Sequence, residues 1–325
     1  MSFNIVCSQQ AYRETCNIES SIPLFSQAWW LDAVAGDSWD AVLVYDKGQV
    51  VGALPFMLCQ SWGLKLLSQP KLTQTLGPWV RPSEAKYANA LAFEKDVLGA
   101  LADGLPQFDM YRQNWDCARL NWLPFYWRGY QQTTRYTYVL SDISNTEQLW
   151  TGFQRDIRGN IRKAEERFGV TVRFSEDIDD LIPVLRKTFE RQGSKLPFSD
   201  QFLRNVDQAA TAKNKRAIVL GEDAEGKLHA GTYIVWEGDT AYQLLNGYDP
   251  ELRQSGAGSL CVWSAIQKAS QYVNRYDFEG SMLEPVERFF RAFGARQVPY
   301  LRLERTDSRI LRARFCAANI LRKRR

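Results

Sequence analysis

The sequence predicts an α/β (α+β) chain made of two successive units of similar grammar, and three observations predict it. At 325 residues the chain exceeds the size at which a single core stops growing, so two units of roughly 150 residues are the natural division. An apolar content of 45% with 13% aromatics is ample for two packed cores, and 24% charged residues cover an ordinary surface. Twice along the chain, helical-period stretches and hairpin-linked apolar runs of period two follow one another.

In the first unit, Ser26-Gln27-Ala28-Trp29-Trp30-Leu31-Asp32-Ala33-Val34 reads as a capped helix start. The apolar runs 41–45 and 50–58 read as strands, because Asp46-Lys47-Gly48-Gln49 between them is a hairpin signal. A helix over about 83–101 and short strands near 107–111 and 134–140 complete this unit. The second opens with a long charged helix over 145–168, stopped by Gly169. A strand at 170–174 and helices at 178–192 and 199–211 follow. Strands at 216–220, 228–236 and 240–246 then form a meander, with Glu222-Asp223-Ala224-Glu225-Gly226 and Glu237-Gly238-Asp239 as turns. A helix over about 258–273, a strand at 275–278, a helix at 285–293 and a strand at 298–303 close the unit. The expected division is 1–143, 144–305 and a basic amphipathic tail at 306–325.

Composition removes several chemistries. The single histidine, His229, is too few for a multi-histidine metal site. Its place just past a turn at a strand start reads as a solvated strand edge rather than a catalytic imidazole. The six cysteines are scattered singly, without metal-site spacing or disulfide density, and read as reduced, mostly buried thiols. No metal is expected. No apolar run approaches the ~20 residues that span a bilayer, and Met1-Ser2-Phe3-Asn4 lacks the basic start of a signal peptide, so a cytoplasmic location is expected. The net charge of +4 conceals an asymmetry: Arg302 to Arg325 hold nine basic and two acidic residues. Contact of this tail with an anionic membrane or with tRNA is one reading, and a solvated helix face is the other.

The most informative segment is Asn246 to Leu260, which leaves a strand, turns and opens a helix. In Arg253-Gln254-Ser255-Gly256-Ala257-Gly258-Ser259 the glycines let the backbone bend tightly, so that consecutive N–H groups and the positive helix end can converge on an anion. By itself Arg-x-x-Gly-x-Gly is common, and a plain turn before a core helix is the alternative. Its position between a meander and a strand–helix–strand run is similar to the donor-binding signature of the GNAT acetyltransferase superfamily.

Further stretches resemble the two-domain branch related to FemAB-type aminoacyltransferases and their acetyltransferase-like relatives. They are Phe25-Ser26-Gln27-Ala28-Trp29-Trp30, Gly159-Asn160-Ile161-Arg162-Lys163-Ala164-Glu165, and the run from Asp277 to Gly294. The resemblance implies two tandem GNAT-like domains, each a mixed, mostly antiparallel sheet flanked by helices. The first domain is degraded, since nothing like the glycine signature occurs before residue 140. It also implies acetyl-coenzyme A, or another acyl-coenzyme A, as donor and an amine as acceptor. FemAB proteins take their donor from charged tRNA instead, so a tRNA-dependent aminoacyltransferase is the second reading. A catalytically silent binding module is the third, because Phe290 stands where such enzymes commonly place an acidic tyrosine.

Transfer to an amine needs a base and a polarised carbonyl. Glu279, after the strand 275–278 and beside Gly280-Ser281, is the expected base, with a hydrogen bond to a neighbouring amide as its alternative role. Asp277 reads as structural. Tyr248 and Asp249 precede the donor loop and would orient the acceptor, although Asp249-Pro250 is also a good turn opener. Trp29, Trp30, Trp115, Trp122 and Trp127 read mostly as core.

Overall fold

A computed structural model describes residues 3–280 and 282–313. The chain divides into two compact units: Met1–Arg135 with Pro299–Arg325, and Tyr136–Val298. This differs from the expected 1–143 and 144–305, because the last strand does not simply close the second unit.

The first unit contains β1 (Asn4–Cys7), α1 (Gln9–Ile18), α2 (Ala28–Ala35), β2 (Trp39–Asp46), β3 (Gln49–Ser61), β4 (Leu64–Ser68), β5 (Trp79–Val80), α3 (Tyr87–Asp103), β6 (Met110–Asn114) and α4 (Leu123–Tyr126). The chain leaves it along β7 (Gln131–Leu140). The hairpin expected at 46–49 joins β2 and β3, which pair antiparallel from Trp39↔Met57 to Asp46↔Gln49. β4 and β6 run parallel. Trp30 and Trp115 are fully buried, but Trp127 is exposed, so the tryptophans are not uniformly core.

The second unit contains α5 (Thr146–Gly152), α6 (Arg155–Arg162), β8 (Thr171–Ser175), α7 (Ile182–Arg191), α8 (Asp200–Ala212), β9 (Arg216–Glu222), β10 (Leu228–Glu237), β11 (Thr240–Tyr248), α9 (Ala257–Ala269), β12 (Arg275–Asp277) and α10 (Glu284–Ala292). Its strand order is β7-β12-β11-β10-β9-β8. β11 and β12 run parallel, whereas β7–β12, β10–β11, β9–β10 and β8–β9 are antiparallel. The mixed, mostly antiparallel sheet flanked by helices is therefore present. The last strand, β13 (Arg296–Thr306), starts in this unit, and its later residues pair antiparallel with β6 in the first, from Arg302↔Asn114 to Thr306↔Met110.

The long helix expected over 145–168 is broken. Phe153 takes an extended conformation, and its ring packs on Trp263 and Phe293, each with centroids 5.1 Å away. Burying so large a ring is worth more than continuing one helical turn. Gln154 N–H then bonds to Ala292 O at 2.9 Å. The helix resumes as α6 and ends in a π-helical turn, Lys163–Arg167. α9 is the central helix of this unit, with Leu260, Cys261, Val262, Ala265 and Ile266 buried against Val219, Ile234 and Phe278.

Two further expectations change. Of the five described cysteines only Cys261 is buried, and Cys7 is exposed. Residues 309–313 are helical, but 314–325 of the basic tail, with Phe315, lie outside the described residues. Among the described residues no helix is long and apolar enough to cross a membrane.

Candidate active site

β11 and β12 pair only over Thr240–Tyr242 and Arg275–Asp277, after which the two strands part. β11 continues to Tyr248, while Phe278 N–H turns to Tyr138 O on β7 at 3.0 Å. The divergence leaves room at the end of β11, where the chain enters a 3-10 turn, Pro250–Ser255. Asp249 caps that turn: its Oδ1 accepts from Glu251 N–H at 3.0 Å, and its Oδ2 meets Lys187 Nζ at 2.6 Å. Burial pushes the Asp249 carboxyl up, but Lys187 and the Glu251 amide outweigh it and hold the group below the usual range. Asp249 is thus the turn opener.

Gly256 carries the chain from the turn into α9 with φ +86°, in the left-handed region. A Cβ there would stand 2.3 Å from Asn160 O, so the loop is seated directly on the α6 backbone. Two residues on, a Cβ at Gly258 would meet nothing within 4 Å. One glycine is needed by the fold; the other leaves open space at the first turn of a 13-residue helix. Ser255 Oγ accepts from Ala257 N–H at 3.3 Å, and Ser259 N–H bonds to Gly256 O at 3.0 Å, so the loop is partly pre-capped by its own atoms.

This open space belongs to a cavity of about 510 Å³. Its wall is built from Asn160 of α6, Thr188, Phe189 and Gln192 at the end of α7, and His229, Gly231 and Thr232 of β10. Asn246, Gly247 and Tyr248 of β11, then Leu252, Arg253, Ser255, Gly258, Ser259 and Val262, continue it; Pro285, Val286, Phe289 and Phe290 of α10 complete it. The expected donor residues Arg253, Ser255, Gly258 and Ser259 therefore share one wall with Tyr248. Gln254, Gly256 and Ala257 do not line it. Arg253 is exposed and has no ion pair among the described residues. Tyr248 is held from two sides: its backbone N–H bonds to Thr188 Oγ1 at 2.8 Å, and its hydroxyl accepts from Arg191 Nη1 at 2.6 Å. Phe290 contributes a ring and no hydroxyl, and packs on Phe278 with centroids 5.0 Å apart. A second cavity of similar size, lined by Asp142, Asn145, Gln148 and Arg296, contains none of the expected residues.

Glu279 is not among the residues lining either cavity. It has φ +56°, a conformation non-glycine residues rarely adopt, and its N–H donates to Asp277 Oδ1 at 2.8 Å. Asp277 also accepts from the Thr137 hydroxyl. The hydrogen bond thus comes from the Glu279 amide, while its carboxylate Oε1 is buried without a partner among the described residues. Burial first, and the Asp277 charge second, push the Glu279 carboxyl well above its ordinary value, which favours the neutral form.

His229 departs from its expected solvated edge. β10 lies between β9 and β11, and His229 is 3% exposed. The signal was present in the sequence as the chain's only histidine, but its burial depends on strand order, which local pattern does not carry.

The description "Acetyltransferase (GNAT) domain" matches residues 151–291. No curated protein sequence matches the chain. Among solved structures, FemX is similar at 15% identity, covering 93% of this chain and 97% of FemX, with a TM-score of 0.64. A tandem GNAT protein from the clavulanic acid biosynthesis pathway is similar at 12% identity, over 94% of this chain and 99% of that one, with a TM-score of 0.57. L-PGS from Bacillus licheniformis is similar at 12% identity, over 97% of each chain, with a TM-score of 0.55. At such identities the likeness is one of fold. Residues 151–291 of this chain thus match an acetyltransferase (GNAT) domain, and the fold is shared with FemX and with a tandem GNAT protein.

Proposed function

We propose that the second unit transfers an acyl group from acyl-coenzyme A to an amine, holding the donor pyrophosphate at 253–259. The observation that carries this reading is the vacancy a side chain at Gly258 would fill, at the N-terminal turn of α9 and on the wall of the cavity. An anion there meets the positive helix end and the unpaired guanidinium of Arg253. Arg155, Arg158, Arg162, Lys163 and Arg167, on α6 and its π turn, have no ion pair among the described residues and suit a donor with several phosphates. Tyr248 and Gln192 line the same cavity, where an acceptor amine would be oriented.

Thermal unfolding with acetyl-coenzyme A tests the reading. A ligand at a hundred times its Kd adds about 2.7 kcal/mol, which raises Tm by roughly 5–10 °C for a domain of this size. The Gly258→Val variant fills the vacancy and should lose the rise while keeping its own Tm. A wild type indifferent to acetyl-coenzyme A discards the reading.

The same unpaired basic residues on α6 favour aminoacyl-tRNA as the second reading. Phosphate contacts make such binding strongly salt-dependent. Retention of tRNA at low salt, lost when Arg155 and Arg158 become glutamine, supports it, and indifference to tRNA removes it.

A further inference from the structure

We infer that His229, held by Asp223, is the base that takes the proton of the acceptor amine in this cavity. The inference rests on the acyltransferase reading above and supplies the proton-accepting group that Glu279, off the cavity wall, does not.

His229 is an extra residue in its ladder. β9 and β10 pair Leu228↔Glu222 and then Ala230↔Gly221, so His229 sits at a β-bulge with no partner across β9. Bulges of this kind re-aim one side chain without breaking the sheet. On its other flank, His229 O accepts the N–H of Asp249 at 2.8 Å, tying the bulge to the residue that opens the donor loop. His229 is among the residues that line the cavity with Tyr248 and Gly258.

The imidazole is oriented from behind. His229 Nε2 lies 3.0 Å from Asp223 Oδ2. Asp223 Oδ1 is itself fixed by the N–H groups of Glu225, at 3.0 Å, and Lys227, at 2.9 Å. The hydrogen bond with His229 and then the Lys227 amide hold the Asp223 carboxyl below the usual range. An ionised carboxylate can only accept, so the neutral tautomer that keeps this hydrogen bond carries its proton on Nε2 and its lone pair on Nδ1. Nδ1 is buried and has no partner among the described residues. Buried polar atoms are nearly always paired, and one left unpaired on a residue that lines a cavity is positioned for a ligand. A base oriented by a carboxylate is the arrangement acyl-transfer sites use repeatedly.

The step balances without further reagents. The acceptor ammonium gives one proton to Nδ1, and Asp223 stabilises the resulting imidazolium. The freed nitrogen lone pair forms the C–N bond to the thioester carbonyl carbon. As the C–S bond breaks, the thiolate leaves with the electron pair and takes the second nitrogen-bound proton. Nδ1 then releases its proton to solvent.

Free-thiol release from acetyl-coenzyme A is measured with spermidine, glucosamine and a lysyl peptide as acceptors. General-base catalysis contributes about 10²–10⁴-fold. His229→Gln should therefore lower turnover at least about a hundredfold, with the Tm rise from acetyl-coenzyme A unchanged, and imidazole should restore part of the turnover of His229→Gly. Turnover by His229→Gln within about threefold of wild type overturns the inference. A second readout needs no acceptor: the one histidine Cε1–H resonance should move as acetyl-coenzyme A saturates the wild type. A resonance that stays in place while Tm rises also overturns the inference. An unchanged Tm marks failure of the acyl-coenzyme A reading itself, and the two failures are thereby distinguished.

Discussion

Gly256 and Gly258 lie two residues apart in one loop, yet alanine should act on them with opposite signs. At Gly256 the backbone is at φ +86°, where an L-residue costs roughly 1–2 kcal/mol. The added Cβ would also fall 2.3 Å from Asn160 O and 2.9 Å from its carbon, and neither is a flexible side-chain end. Moving α6 to relieve such overpacking costs about 1–3 kcal/mol. Gly256→Ala should thus lose roughly 2–5 kcal/mol. At Gly258 the φ is ordinary and the space empty, and alanine is favoured over glycine in a helix by about 0.5–1 kcal/mol. Urea unfolding reads both. With a slope of about 1–3 kcal/mol/M, Gly256→Ala should shift the midpoint downward by on the order of 1 M, and Gly258→Ala should shift it slightly upward. Equal midpoints for the two variants, or a loss at Gly258, would refute the assignment of one glycine to the fold and the other to the cavity.

Two more outcomes follow from buried charge. Arg216, nearly buried, lies 3.1 Å from Asp207 and donates to Ser175 O at 3.1 Å and Glu176 O at 2.8 Å; Arg216→Ala should cost about 3–5 kcal/mol by leaving Asp207 unpaired. A loss under about 1 kcal/mol in urea unfolding would contradict that pairing. The raised carboxyl of Glu279 means that the folded chain holds its proton above the pH at which the unfolded chain releases it. Its contribution is therefore full below the unfolded value and is lost as pH rises toward the folded one. Glu279→Gln should gain stability relative to wild type as pH rises from 4 to 8, and a difference that stays constant over that range would show the folded carboxyl to titrate as it does in the unfolded chain.

The long, strongly patterned elements of the second unit were legible in the sequence. α8, β9, β10, β11, α9 and α10 lie within a few residues of expectation because their periodicity is continuous and glycine or acidic turns punctuate them. The glycine loop that enters α9 was legible for the same reason, since Gly256 and Gly258 mark the start of that helix. What escaped depends on distant contacts. Phe153 breaks a helix only because Trp263 and Phe293 offer it a place. β13 enters the first unit through pairing with β6, some 190 positions earlier, which no local pattern carries. His229 and the Glu279 carboxylate Oε1 are buried through single-residue irregularities, a bulge before Ala230 and a positive φ after Phe278, each invisible to a rule based on alternation.

Hydrogen–deuterium exchange with and without saturating acetyl-coenzyme A tests the central assignment most directly. Donor binding at the end of β11 should slow exchange at 246–262 and 285–290, the segments that wall the cavity. Slowing confined to 139–152 and 293–296, around the second cavity, would contradict it.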